Sequence, residues 1–128
     1  MPSLFSKIIA GEIPCYKVAE TKNCIAFLDV FPLEEGHVLV VPKKEIDYIF
    51  DIDDELYKGL FVFAKQVAVK LKKAIPCAKV GVMVAGLEVP HAHIHLIPFN
   101  GLNELTFARA KAMDNAELAQ IAQKIRGV

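Results

Sequence analysis

The chain has no tryptophan, no excess of charge of either sign and no C-x-x-C pair among its three cysteines. Lys plus Arg number 15 and Asp plus Glu number 15, so a net charge of zero offers no broad field to attract nucleic acid or an anionic membrane. Any phosphate it binds must be bound locally. Cys15, Cys24 and Cys77 are odd in number and scattered. Free thiols in a reducing compartment are expected, rather than a disulfide framework or a thiolate metal site. No apolar run approaches the ~20 residues that span a bilayer. The N-terminal MPSLFSKIIAGEIP lacks a basic leader followed by a long apolar core. A cytoplasmic protein without membrane contact is therefore the expectation. No linker, repeat or low-complexity tract interrupts the 128 residues, which read as one domain, 1–128, long enough to bury a core.

What is present is a set of short periodic runs. SLFSKIIA (3–10) predicts a short helix with Ser3 as N-cap and Gly11 as its stop, Phe5, Ile8 and Ile9 falling on one side. YKVAET (16–21) and CIAFLDV (24–30) predict two strands joined by a Lys22-Asn23 turn, and HVLVVP (37–42) a third after the FPLEEG loop. Asp51 or Asp53 caps a long helix ending before Pro76, whose Leu56, Leu60, Phe63, Ala64, Val67 and Leu71 form one apolar stripe. AKVGVMVA (78–85) and PHAHIHLIP (90–98) predict two more strands, and 114–126 a last amphipathic helix with Leu118, Ile121, Ala122 and Ile125 inward. Hairpin-length connections and the scarcity of helices between strands predict an α+β fold: a five-stranded antiparallel sheet with helices on one face.

Three of the four histidines stand in VPHAHIHLIP at two-residue spacing. Strand side chains alternate, so His91, His93 and His95 share one face, ~6.6 Å apart, while Ala92, Ile94 and Leu96 pack beneath the long helix. Three readings compete. The rings are solvated surface groups; or two of them hold zinc, with His37 contributing; or one is a nucleophile. Imidazole, with a free pKa of ~6.5, is mostly neutral and nucleophilic at pH 7. Attack at phosphorus gives a phosphorus–nitrogen intermediate that water can split, and neighbouring rings can orient the nucleophile and supply protons.

The segment GLEVPHAHIHLIP resembles the signature of the histidine triad (HIT) family, in which three histidines alternate with apolar residues. SLFSKIIAGEIP and CIAFLDVFPLEEGHVLVVPKK resemble the family's earlier blocks, and their order is similar to the bacterial type of the Hint branch. The resemblance implies a HIT-like fold and a homodimer whose sheets join across the interface. It implies binding of a purine nucleoside monophosphate or its phosphoramidate, with hydrolysis of the bond between the α-phosphorus and its leaving group through a covalent nucleotidyl-histidine intermediate. Dinucleoside polyphosphate hydrolysis and nucleotide binding with little catalysis are the alternatives. His93 would be the nucleophile, flanked by His91 and His95, with His37 supporting His91. Asp29 would take the ribose hydroxyls, as a carboxylate can accept two hydrogen bonds. Leu4, Phe5, Ile8, Ile13, Phe27 and Val30 would wall the base, and Glu88 would stand near the leaving group. No cofactor is implied.

Two departures from the family pattern matter. Many bacterial relatives bind structural zinc through a C-x-x-C and a later histidine; here those positions are Ser3, Ser6 and Glu45, and no metal is expected. The loop VGVMVAGLEVPH is shorter than usual and has Leu87 where relatives carry a glutamine that helps hold the phosphate. Leucine donates no hydrogen bond; loss of one donor to a developing anion can cost ~10²–10³ in rate. Backbone N–H groups from Gly86 to Val89 are the available substitutes.

Overall fold

CIAFL and VLVVP are apolar along their length, and such strands need cover on both faces. The computed structural model, which describes residues 2–128, shows what covers them. Strands β1 (Lys17–Glu20), β2 (Cys24–Leu28), β3 (Val38–Pro42), β4 (Lys79–Met83) and β5 (Ile94–Phe99) form one antiparallel sheet in the order β1-β2-β3-β5-β4. Every residue of β2 and β3 is buried. Their side chains alternate between two clusters. Ala26, Leu28, Val38 and Val40 join Ile94 and Leu96 beneath α2 (Asp54–Ala74) and α3 (Asn115–Arg126). Ile25, Phe27, Leu39 and Val41 face the other way, against Phe5 of α1 (Leu4–Ile9). The two long helices thus share one face as expected, and the short α1 lies on the opposite one.

Local chemistry sets the helix ends. Asp53 caps α2 by accepting from Leu56 N–H at 2.9 Å, so it, not Asp51, is the cap. Acids in the first turn and Lys72 and Lys73 in the last complement the helix dipole, and Ile75 before Pro76 leaves the helical region. Leu60, Phe63, Ala64, Val67 and Leu71 are the buried stripe, with Leu56 half-buried at its margin. Each large side chain fully buried contributes about 1.5–3 kcal/mol. Asp114 caps α3, which buries the four expected residues.

The fifth strand departs from expectation. Pairing with β3 begins at Val40–Ile94, not at Pro90. Residues 91 and 92 are tied elsewhere: His91 N–H donates to Val89 O (2.8 Å) and Ala92 N–H to Ile46 O (2.7 Å). Only His95 of the three sits in the ladder.

The sheet's two edges differ. The β1 edge is partly covered by α3, since Arg126 Nη1 donates to Lys17 O at 2.6 Å. The β4 edge is open and carries Val82, 57% exposed. Among the described residues no helix is long and apolar enough to cross a membrane.

Candidate active site

All four histidines are buried, from fully so for His91 to 6% exposed for His93 and His95. That removes the solvated reading. His37 stands immediately before β3, and the preceding loop wraps its ring. Asp29 N–H donates to His37 O (3.0 Å), His37 N–H to Glu34 O (3.1 Å) and Leu33 N–H to the ring's Nδ1 (3.1 Å). Gly36 makes this turn with φ 87°, and a side chain there would meet Ile75 Cγ1 at 2.9 Å.

These bonds fix where each neutral ring carries its hydrogen. With Nδ1 of His37 accepting from Leu33, the hydrogen is on Nε2, which donates to His95 Nδ1 at 2.9 Å. His95 therefore keeps its own hydrogen on Nε2. His93 is the opposite case. Its Nδ1 lies 2.8 Å from His91 O, which can only accept, so Nε2 is a bare lone pair. Among the described residues neither His93 Nε2 nor His95 Nε2 has a protein partner, and neither is sealed from solvent. The two rings pack edge to face, centroids 4.8 Å apart. The arrangement presents a nucleophilic nitrogen beside a hydrogen-bond donor. Burial, reinforced by the neighbouring rings, lowers His37 to about 3 and His95 to about 4. Burial also lowers His93, against the pull of the His91 carbonyl. The rings are neutral at pH 7, as nucleophilic attack requires.

His93 and His95 line a cleft of about 410 Å³, within the range of small-molecule sites. Leu4, Phe5, Ile8, Phe27, Val30, Asp29 and Glu88 line it too, as expected. Phe5 is both wall and core: it is 4% exposed and stands edge-on to His93 with centroids 4.9 Å apart. Asp29 is half-buried; one oxygen accepts from Phe31 N–H at 2.9 Å, and burial raises its pKa, with Glu88 pushing the same way. Leu87 is 94% exposed at the rim. The N–H groups of Leu87, Glu88 and Val89 donate to no acceptor among the described residues.

Several expected placements need correction. Ile13 does not line the cleft: Gly11, at φ 82°, turns the chain so that Glu12 and Ile13 N–H reach back to Lys7 O, and Pro14 and Cys15 take the wall. His37 supports His95, not His91. His91 does not reach the cleft; its Nε2 is 2.8 Å from Pro42 O and its Nδ1 2.7 Å from Ser3 Oγ. Sequence reasoning also missed other wall residues, among them Phe31, Leu39 and Phe107; Phe107 comes from a single turn after β5 capped by Thr106, with its ring 5.0 Å from that of His95. The one signal for Phe107 was an aromatic residue in an otherwise unpatterned segment.

The zinc readings find little support in these bonds. His91 and His93 have three of their four ring nitrogens committed to protein partners, so they do not form a chelating pair. Asp29, His37 and His95 bring ligand atoms within 4.8 Å of one another. A metal there would have to break the His37–His95 hydrogen bond, and His37 Nδ1 is already taken. Ser3, Ser6 and Glu45 are hydrogen-bonded to one another and to His91, a poor donor set for zinc.

The sequence pattern of the HIT domain matches residues 10–101. An adenosine 5'-monophosphoramidase of Saccharomyces cerevisiae is 41% identical over 100 residues, 74% of this chain and 61% of that protein. An uncharacterised HIT-like protein of Methanocaldococcus jannaschii is 38% identical over 130 residues, covering 97% of this chain and 98% of the other. A HIT-like protein of Bartonella henselae superposes with a TM-score of 0.87 at 32% identity, covering 98% of this chain and 94% of that one.

Proposed function

This chain belongs to the histidine triad family, and from that premise we propose that it is a nucleotide hydrolase of the nucleoside phosphoramidase type. The substrate is a purine nucleoside phosphoramidate or adenylate, and His93 is the nucleophile. The observation that carries this reading is the pair of ring states in the cleft: a bare Nε2 on His93 beside an Nε2–H on His95.

His93 Nε2 attacks the α-phosphorus as the phosphorus–nitrogen bond to the leaving group breaks; the departing nitrogen takes a proton from solvent at the mouth of the cleft and leaves as the amine, and the water that later splits the intermediate returns a proton to solvent. The new imidazolium keeps its Nδ1–H on the His91 carbonyl, which stabilises the charge. His95 Nε2–H donates to a phosphoryl oxygen. Water then splits the phosphorus–nitrogen bond, releasing the nucleoside monophosphate and restoring the ring. The base lies between Phe5, Phe27 and the other apolar walls, and Asp29 takes the ribose.

The cleft lining contains Asp29 and Glu88 but no lysine or arginine. That composition favours an amine leaving group over a polyphosphate and sets the dinucleoside polyphosphate alternative aside. A second reading, nucleotide binding with little turnover, draws on Leu87, which stands in the glutamine position and whose side chain offers no donor. The yeast relative's name, a phosphoramidase, supports the catalytic reading. The test is incubation with adenosine phosphoramidate. Wild type should release AMP, and His93→Ala should release none while still binding AMP. Binding of AMP by wild type without any release would favour the second reading.

The assembly we propose is a homodimer joined through the open β4 edge, where exposed Val82 lies on the strand and exposed Val69 on α2 flanks it. The three free cysteines fit a reducing, cytoplasmic setting.

A further inference from the structure

We propose that Ser3, Ser6 and Glu45 are positioning residues for the nucleophile: they clamp the His91 ring so that its main-chain carbonyl holds His93 Nδ1–H. This rests on the reading of His93 above but concerns residues outside the cleft, none of which lines it.

The need for a clamp comes from the backbone. The carbonyl that sets the state of His93 belongs to residue 91, three residues before β5 begins. No ladder hydrogen bond fixes it, because pairing to β3 starts at Ile94. The peptide that carries it is tied on its other side, where Ala92 N–H donates to Ile46 O at 2.7 Å, and the His91 side chain adds a second restraint, held at both ends. Nε2 donates to Pro42 O at the end of β3 (2.8 Å). Nδ1 lies 2.7 Å from Ser3 Oγ, the N-cap of α1. A carbonyl only accepts, so Nε2 carries a hydrogen, and Nδ1 is the end of the ring paired with the Ser3 hydroxyl. Ser3 Oγ in turn accepts Ser6 N–H at 3.0 Å. Glu45 Oε1 accepts both Ser3 N–H (2.7 Å) and Ser6 Oγ–H (2.6 Å). One carboxylate oxygen thus holds the first turn of α1 and aims the Ser3 hydroxyl at His91.

The ring itself has no route to substrate. It is fully buried and off the cleft, packed edge-on against Phe5, a cleft wall, with ring centroids 5.8 Å apart. The chain of contacts runs from Glu45 through Ser3 and the His91 ring to the His91 carbonyl and His93 Nδ1. The family resemblance places zinc ligands of bacterial relatives at the positions of Ser3, Ser6 and Glu45. Here hydrogen bonds occupy the same corner and serve the residue that precedes the nucleophile.

Removing the clamp leaves the base-binding walls in place and the Ala92–Ile46 bond intact, but takes away one of the restraints on the His91 carbonyl and lets it shift. Misplacement by about 1 Å at a reacting group costs on the order of 10²-fold in rate. Ser3→Ala should therefore lower kcat for AMP release from adenosine phosphoramidate about 10²-fold with KM little changed. Glu45→Ala, at an exposed position that spares the core, should lower it less. Ser3→Thr and Glu45→Gln, which keep a hydroxyl and an acceptor, should recover most of the rate. Nitrogen-15 shifts of the imidazoles give a readout independent of turnover. Wild-type His93 should be in the Nδ1–H form, and Ser3→Ala should mix both forms at that ring. The proposal is overturned if Ser3→Ala and Glu45→Ala keep both the wild-type kcat and the single ring state, or if the losses appear in KM alone. If wild type releases no AMP, the phosphoramidase reading fails, and the ring states alone decide the clamp.

Discussion

Lowering the pH from 6.5 towards 4 sets two protons against the interior around His37 and His95. Both rings are nearly inaccessible, 1% and 6% exposed. Burial, with the adjacent rings adding to it, holds them at about 3 and about 4 in the folded protein. In the unfolded chain both titrate near ~6.5. A base whose folded pKa is depressed leaves the unfolded state binding more protons below 6.5. The stability these rings contribute is therefore complete above pH 6.5 and is lost as the pH falls towards 4 for His95 and 3 for His37. Each such group changes stability by about 1.4 kcal/mol per pH unit within its window. Two together roughly double that slope between about pH 6 and pH 4. Over that span the loss approaches 5 kcal/mol, comparable with the whole stability of many small domains, about 5–15 kcal/mol. His93 adds in the same direction. The depressed carboxylates act in a lower window: Glu20, bonded to Lys17 and Lys43, and Glu45, bonded to Ser6 and Ser3, are both held down to about 2 from 4.5, so their contributions are complete above pH 4.5 and are lost as the pH falls from there towards 2. The assay is urea unfolding followed by circular dichroism at pH 7, 6, 5 and 4.5. The midpoint should fall steeply below pH 6. His37→Gln, which keeps an acceptor for Leu33 N–H and a donor for His95, should roughly halve that slope. A midpoint flat from pH 7 to 4.5, or an unchanged slope in His37→Gln, would refute the assignment of buried neutral rings.

Two further outcomes follow from the loops around the site. Leu87→Gln supplies a donor at an exposed rim position and should leave stability unchanged while raising kcat for AMP release, up to ~10²-fold; an unchanged kcat would mean that the Gly86–Val89 amides already fill the role. Gly36→Ala forces a side chain into the left-handed region at φ 87° and against Ile75 at 2.9 Å, so it should cost on the order of 1–3 kcal/mol in thermal unfolding and, by shifting His37, lower activity as well.

Much of this molecule was legible because periodicity reports local sidedness well. The apolar stripe of α2, the inward residues of α3 and the cap at Ser3 all fall where the spacing placed them. The alternation in PHAHIHLIP was also read correctly as to face: Ala92, Ile94 and Leu96 enter the main core. It was misread as to pairing. An extended segment alternates its side chains whether or not a neighbouring strand bonds to it, so periodicity could not reveal that the ladder starts at Ile94.

The partner of His37 was illegible for a related reason. It depends on the register of β3 against β5, two strands separated in sequence by α2 and β4. In an antiparallel pair each step forward on one strand is a step back on the other. Leu39 stands opposite His95 and Val38 opposite Leu96, so the count carries position 37 towards the end of β5 and away from His91. His95 is then the one triad histidine within its reach, which the 2.9 Å bond bears out. A one-residue slip would have turned the ring to the other face of the sheet. The register is held by burial of Val38 and Val40 beneath α2, both of which are fully buried. The hydrogen on His95 Nε2 is thus a consequence of how the hydrophobic core aligns two distant strands, and a substitution in that core that shifts the register would disarm the site without touching a histidine.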